Sequence, residues 1–345
     1  MPVKGESDYK NSRDAIKFQS PPEYEIELDL PNGERIRVMG IKQGITVILG
    51  DAYQGKSTLM SAIYEGVYNH IKGDGREYVI TCDSSLQINA QNGRSIQNTD
   101  ISFYISNILL ARFNTPKFST VSASGSTSQA AAVVEAIESG CQLMLFDEDN
   151  CANNFMYKEN RMRDFLQKTT TTPFIDMATD LYTRYGISSI VTAGASAAYL
   201  DIADQAFIIR GYELSAYMNN KKVHKLKEHI NIRPRTIGLV VIRDSVLHMS
   251  VDANNSCVVR VGNESVNVAK IVTHASNGQI NFIAYVLKEL LTYASFCGKT
   301  LREVVDFFYK KFGFRAKKTS FLMSIKKLSL LEYMILCRSF IDLEM

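Results

Sequence analysis

The chain has 345 residues, 46% hydrophobic and 22% charged, with a formal net charge of +3; this is ordinary globular composition, long enough for two domains and a sizeable core. No apolar run reaches the ~18 residues of a membrane span, the opening MPVKGESDYKNSRD lacks the apolar stretch of a signal peptide, and the six scattered cysteines show no CxxC pair and no metal-ligand spacing, which predicts reduced thiols in the cytoplasm. The small net charge conceals an asymmetry: Lys299 to Lys327 carries a balance of +7 and Tyr217 to Arg235 one of +5, leaving an acidic remainder, and such basic clusters suit either nucleic acid or a solvated face.

Residues 1–20 read as a disordered tail. YEIELDLPNGERIRVMG follows, alternating as two strands around a Pro-Asn-Gly turn. ITVIL (Ile45 to Leu49) is a β-branched run suited to a buried parallel strand. It leads into Gly50-Asp51-Ala52-Tyr53-Gln54-Gly55-Lys56-Ser57, which fits G-x-x-x-x-G-K-[ST], and then into Leu59, Ala62, Ile63, Gly66 and Val67 at helical spacing. Strand, glycine loop and helix in that order are the setting of a P-loop. Backbone N–H groups of such a loop wrap phosphates, and the glycines permit close approach and positive φ. The helix N-terminus adds its dipole. Lys56 is expected to reach the β- and γ-phosphates and Ser57 to offer a hydroxyl to Mg²⁺. The candidate ATP contacts therefore run from Gly50 through Thr58. Tyr53, inside the loop, suits stacking on adenine as well as packing against the protein. GDGREY (Gly73 to Tyr78) reads as a turn between helix and strand, with Arg76 as a candidate to reach nucleotide.

The stretch ASGSTSQA (Ala123 to Ala130) has linker chemistry when taken alone. Its neighbours place it differently. Ala130, Val133, Val134 and Ile137 recur on one helical face, with Gly140 as the expected end of that helix. The run from Cys141 to Phe146 reads as another buried strand, with Asp147 and Glu148 at its C-terminal end, where open α/β sheets bind ligands. An Asp there can hold Mg²⁺, and the adjacent Glu148 can polarise an attacking water as a general base. Ser124 precedes Asp147 by 23 positions. Loop, helix, strand and Asp-Glu at that spacing resemble the signature loop of ABC ATPases, usually LSGGQ, ahead of its Walker B strand. Ser124-Gly125 matches the Ser-Gly of that loop, with Ser126 in place of the next Gly, so Ser124, Gly125, Ser126 and Thr127 become candidate contacts to the γ-phosphate of an ATP held by a second subunit.

Longer stretches extend the likeness. VYNHIKGDGREYVIT, DISFYI, FSTVSASGSTSQAA, DEDNCANNFM and TPFID, with a looser match through SIVTAGASAAYLDIADQAFII, resemble the family of predicted ABC-class ATPases whose P-loop reads much like GYHGKSTL. The match continues weakly through TLREVVDFF to the last helix. The resemblance implies binding of ATP with Mg²⁺ through Ser57 and Asp147. One member of the family is associated with an RNA-processing assembly, which implies RNA as a partner. Departures from the family pattern are specific. Gln54 replaces His, Asp51-Ala52 replace glycines, and Asn150-Cys151-Ala152-Asn153 replace a Thr-Ser-Ala-Thr pattern. Thr192 to Ala197 stand where typical ABC proteins place a switch His; none is present, which implies slow turnover. Gln87 and Gln91 stand where ABC proteins use a Gln to sense Mg²⁺, but neither has a distinctive context and both read better as surface residues. The family commonly carries a further N-terminal region, and this chain begins almost directly at the nucleotide domain, as a short or truncated member would.

These readings predict an α/β fold, a P-loop NTPase of ABC type over residues 21–211, followed by a smaller, basic α+β domain over 212–345. Only 68 positions separate Lys56 from Ser124, short for the helical arm of a transporter ATPase. In the second region TIGLVVIRDSVLHMSV and CVVRVGNESVNVAKIV suggest strands and hairpins, INFIAYVLKELLTYA a helix, and LREVVDFFYKKF an amphipathic helix with Leu301, Val304, Val305, Phe308 and Phe312 on one face. The expected function is slow hydrolysis of MgATP in a head-to-tail homodimer that acts on RNA. The alternatives are a non-hydrolysing, ATP-switched nucleic-acid clamp and a transporter subunit with a separate membrane partner.

Overall fold

The computed structural model describes residues 16–68, 70, 73–106, 114–166, 169–218, 232, 234–237, 249–251, 258–261, 264–267, 296–312 and 343–344. Most of the expected N-terminal tail, most of the basic stretch from Tyr217 to Arg235, the helix expected over 280–294 and the basic residues beyond Phe312 lie outside the described residues. In chain order the elements are β1 (Glu25–Asp29), β2 (Arg35–Met39), β3 (Ile45–Leu49), α1 (Lys56–Glu65), β4 (Ser85–Gln87), β5 (Ile96–Thr99), β6 (Phe118–Thr120), α2 (Gly125–Glu138), β7 (Leu143–Asp147), α3 (Asn153–Met156), α4 (Asn160–Leu166) and α5 (Ala178–Tyr185). They continue as β8 (Ser188–Ala193), β9 (Gln205–Arg210), β10 (Glu213–Ala216), β11 (Thr236–Ile237), β12 (Met249–Val251), β13 (Val258–Val261), β14 (Glu264–Asn267), α6 (Leu301–Phe312) and β15 (Leu343–Glu344). The chain divides into two compact units, one of Met1–Asn89, Gln142–Leu166 and Pro173–Ile230, the other of Ala90–Cys141, Gln167–Thr172 and Asn231–Met345.

The first unit is built on a six-stranded sheet of order β10-β9-β3-β8-β7-β4. All neighbours in it run parallel except β9 and β10, which form an antiparallel hairpin at one edge. A parallel strand covered on both faces reads as a near-continuous apolar run; Ile45 to Ile48, Met144 to Phe146 and all of β8 are buried, with Thr46, Ser188, Ser189 and Thr192 as the buried polar positions among them. Helices α1 and α5 pack on this sheet. Leu59, Ala62, Ile63 and Val67, picked out by their spacing, are buried as expected, and α1 stops at Gly66, where a Cβ would stand 2.7 Å from Thr81 Oγ1. The register fixes which loops meet. Leu49 lies opposite Ala193 and Asp147 opposite Thr192, so the loops leaving β3, β7 and β8 emerge at one edge of the sheet, the edge where α/β sheets bind ligands. The expected β1–β2 hairpin forms, turning at Gly33 with φ +82. Just before it, the Tyr24 ring packs edge-on against Phe207 of β9, with centroids 4.7 Å apart.

Arg76 does not point to a phosphate site. Its guanidinium grips Asp74 through Nε at 2.7 Å and Nη2 at 2.8 Å and pairs with Glu65, while His70 Nδ1 lies 2.9 Å from Asp74. A buried arginine with two carboxylates beside it is neutralised on the spot, which corrects the expectation that Arg76 serves nucleotide and leaves the turn reading.

In the second unit, α2 is buried well beyond the one face that its spacing suggested: every residue from Ser128 to Ala136 is buried. Its alanines let neighbours approach from all sides. Two ion pairs close over it. Arg94 meets Glu135 with Nη1 to Oε2 at 2.7 Å and Nη2 to Oε1 at 3.1 Å. Arg235, 1% exposed, donates to Glu138 through Nε at 2.7 Å and Nη2 at 2.6 Å, and to Gln97 O and Thr99 Oγ1 through Nη1. One charge of the basic stretch ending at Arg235 is thus internal. Arg235→Met is expected to destabilise the second unit by about 3–5 kcal/mol, because it strands a buried carboxylate; the urea midpoint measures this, and an unchanged midpoint would mean that the pair does not form. Farther on, β12, β13 and β14 make an antiparallel sheet, which agrees with the strands read from this region. Leu301, Val304, Val305 and Phe308 of α6 are buried, as their spacing predicts. Thr300 and Glu303 form a capping box at its start: Thr300 Oγ1 accepts from Glu303 N at 3.3 Å, while Glu303 Oε2 accepts from Thr300 N at 2.7 Å and from Thr300 Oγ1 at 2.9 Å, and these last two bonds hold the Glu303 carboxyl below its ordinary range. Among the described residues no helix is long and apolar enough to cross a membrane.

Candidate nucleotide site

The loop after β3 is shaped by two close approaches. Gly50 N donates to Ala193 O at 3.3 Å, and a Cβ on Gly50 would stand 2.9 Å from the Ile209 carbonyl. Tyr53 (φ 60) and Gly55 (φ 100) are left-handed, which turns successive amides toward one concavity of the kind that takes anions. Helix α1 starts directly after Gly55, and no side chain caps its first amides. Those N–H groups need an acceptor. Asp51 is less disruptive than its charge suggested, for its carboxylate accepts from Ala52 N at 2.7 Å. Lys56 Nζ rests on the Asp51 carbonyl at 2.8 Å, a contact that a phosphate oxygen would outcompete.

Four acidic and hydroxyl side chains come together beside this loop. Ser57 Oγ donates to Asp147 Oδ1 at 3.3 Å and to Asp149 Oδ2 at 3.5 Å. Thr192 Oγ1, opposite in β8, donates to Asp147 Oδ1 at 2.9 Å and accepts from Glu148 N at 3.2 Å. Among the described residues no group of three or more His, Cys, Asp and Glu side chains is set to hold a metal. Mg²⁺ asks for less, since it takes one or two protein ligands and completes its shell with water and phosphate oxygens. Ser57 and Asp147 fit that demand. On the neighbouring strand β4, Gln87 Oε1 and, just beyond it, Asn89 Oδ1 are buried without a hydrogen-bond partner in the structure. Buried acceptors of this kind need a donor such as an ordered water.

Glu148 is held by backbone. Its carboxylate accepts from Gly194 N and, at 3.3 Å, from Ala195 N. A Cβ at Gly194 would stand 3.1 Å from Lys56 Nζ, 3.2 Å from Gly50 O and 3.4 Å from Glu148 Oε2, so lysine, P-loop carbonyl and carboxylate converge on one glycine. Thr192 and these two amides occupy the place where the sequence showed no switch His. Ser196 takes no part in this, because its hydroxyl accepts from Ala198 N at 3.2 Å. Beyond Glu148 lies a cleft of about 680 Å³ that includes Asn153, Arg163, Thr192 and Tyr199 in its walls. Arg163 spans it to Asp176 with two bonds, and Lys158 nearby is held below the ordinary lysine range by burial and then by the Arg163 charge.

Ser124 to Thr127 lie in the second unit, apart from the P-loop's unit. Ser124 is the N-cap of α2: its Oγ is 2.9 Å from Thr127 Oγ1 and accepts weakly from Thr127 N at 3.4 Å. Ser128 Oγ donates to Gly125 O and accepts from Gln91 N, both at 2.8 Å, which ties Gln91's backbone to the start of the helix. Sequence reasoning missed Asp149, Asn89 and the Gly194–Ala195 amides. Asp149 stood next to the Asp-Glu pair as a visible signal; the others had none, because main-chain donors and orphaned oxygens are set by folding.

A parallel sheet whose loops bring a G-x-x-x-x-G-K-S turn, an Asp and a Glu to one edge defines a P-loop NTPase domain. The family model described as ABC_ATPase, P-loop domain, matches residues 3–238. The chain belongs to this family, whose members generally bind ATP with Mg²⁺. It is similar, at 37% identity over 143 residues, to the uncharacterised protein MJ1628 of Methanocaldococcus jannaschii; the match covers 41% of this chain and about a third (32%) of that protein's length. Solved structures with a related fold include the ADP conformation of MJ1267, an ATP-binding cassette of an ABC transporter (14% identity, 53% of this chain and 82% of that one, TM-score 0.34). Another is cbiO1 of Clostridium perfringens, part of the ABC transporter complex cbiONQ (16% identity, 55% and 84%, TM-score 0.31).

Proposed function

We propose that this chain binds MgATP and hydrolyses it slowly, and that two copies pair head to tail around the nucleotide. One observation carries the reading: Lys56, the Ser57–Asp147 pair and Glu148 stand together at one edge of the sheet, around Gly194. The uncapped amides of α1 and the P-loop concavity receive the phosphates, and Lys56 leaves the Asp51 carbonyl to bind the β/γ oxygens. Ser57 and Asp147 would hold Mg²⁺, which would supply neutralisation of the charge developing on the phosphate oxygens. Glu148 takes the proton of the attacking water while the new bond to the γ-phosphorus forms and the bond to the bridging oxygen breaks, giving ADP and phosphate. Release of Glu148 from the Gly194 and Ala195 amides precedes that step, which supports slow turnover.

The same clamp favours a second reading, an ATP-switched clamp that binds without hydrolysing. RNA as the macromolecule acted on rests on the basic clusters and on the family resemblance. We assign the nucleotide domain to residues 21–211, the basic α+β domain to 212–345, and the protein to the cytoplasm on its thiols.

The pairing is tested through Ser124. In the proposed dimer its hydroxyl and the α2 N-terminus close over the γ-phosphate of the partner's ATP. Glu148→Gln is expected to sediment as a dimer with MgATP and as a monomer with ADP. Adding Ser124→Arg, which brings bulk and charge to that surface, is expected to leave ATP bound and keep the chain monomeric. A double variant that dimerises equally well removes the signature role of Ser124.

A further inference from the structure

We propose that Tyr53 and Tyr212 form an aromatic platform at the mouth of the P-loop that stacks on the base of the bound nucleotide. The proposal rests on the P-loop reading above and adds the residues that recognise the base.

Backbone conformation draws attention to the pair. Among the described residues only Tyr53 (φ 60), Asn98 (φ 45) and Tyr212 (φ 69) are non-glycine residues with positive φ. Asparagine tolerates that region; a bulky aromatic residue enters it at a cost and stays only where its surroundings enforce it. Such strain concentrates at functional sites. Tyr212 adopts positive φ as the second central residue of the two-residue β9–β10 turn, which needs it at both Gly211 and Tyr212; Tyr53 adopts it inside the P-loop, and the two segments are bonded to each other. Gln54, next to Tyr53, accepts through Oε1 from the backbone N of Gly211, next to Tyr212. The same hairpin presses on the start of the loop, where the Ile209 carbonyl leaves no room for a Cβ on Gly50. The β9–β10 turn is thereby pinned to the P-loop.

Both rings are left in water. Tyr53 is 94% exposed and Tyr212 47%, so packing against the protein, the competing explanation for Tyr53, does not hold. A single exposed aromatic on a protein surface needs no explanation. Two of them at positive φ, in segments tied together by the bond from Gly211 N to the Gln54 side chain beside a phosphate-binding loop, do. Tyr24, which also meets this hairpin, is already used, since its ring packs on Phe207. Phosphates anchored at the start of α1 leave the sugar and base to project from the loop, where an exposed ring can lie against the base's π-face. Stacking reads area more than edge pattern, so the platform selects purine nucleoside triphosphates with little preference between adenine and guanine.

The test separates base from phosphate. The full chain and its Tyr53→Asn, Tyr212→Asn and doubly substituted variants are titrated calorimetrically with MgATP and with inorganic tripolyphosphate. Asparagine accepts left-handed backbone, so the rings are removed without new strain, and both sites are exposed. Each single variant is expected to bind ATP about tenfold more weakly, the double variant more weakly still, and all to bind tripolyphosphate as the wild type does. Tyr53→Trp is expected to keep ATP affinity. Unchanged ATP affinity in the double variant overturns the platform, as does an equal loss for both ligands, which would make the tyrosines part of the loop's own folding. If the wild type binds neither ligand, the P-loop reading falls first and the platform with it.

Discussion

Lys56→Ala is expected to abolish ATP binding while the chain stays folded. The affinity loss should be about thirtyfold to a few thousandfold, because removing one partner of a close charge pair costs roughly 2–5 kcal/mol and each decade about 1.4 kcal/mol. The fold should survive because Lys56 Nζ bonds to the Asp51 carbonyl at an exposed position, and that carbonyl can turn to water. The measurement is nucleotide binding beside a thermal melt. A folded variant with unchanged affinity would remove the phosphate-binding role of the loop.

The second large effect is expected at Glu148. Glu148→Gln should leave ATP binding intact and slow single-turnover hydrolysis by about 10²–10⁴-fold, the usual contribution of a positioned base. The glutamine oxygen can still accept from the Gly194 and Ala195 amides, so geometry is kept and only proton acceptance is lost. Recovered bound nucleotide should be ATP in the variant and ADP in the wild type. Hydrolysis at the wild-type rate by the variant would place the base elsewhere, and a wild type that never turns over would favour the non-hydrolysing clamp.

Much of this was legible in the chain itself. ITVIL predicted β3 to the residue, because a strand buried on both faces reads as a near-continuous run of β-branched and apolar residues. Gly50 and Gly55 announced the loop because close backbone approach and positive φ leave few other choices. Helical spacing gave the buried faces of α1 and α6. The helix α2 was placed correctly, but its burial on all sides was not visible, since alanine has no periodic signature of its own.

Other features had to wait for the fold. Arg76 looked available for phosphate until Asp74 and Glu65 were found beside it, and Arg235 looked like surface charge until Glu138 closed on it. A charge in a sequence carries no record of its partner. The order of motifs along the chain, with P-loop, Asp147-Glu148 and the Thr192 loop each ending a buried strand, was determined by the sequence alone, because periodicity and glycine placement are local properties. That Thr192 meets Asp147, that Gly194 and Ala195 hold Glu148, and that the Tyr212 turn is pinned to Gln54 were decided only by tertiary structure. Strand register brings residues from distant parts of the chain to one sheet edge, and main-chain donors are the same at every non-proline position, so neither the pairing nor the donor leaves a trace in residue identity.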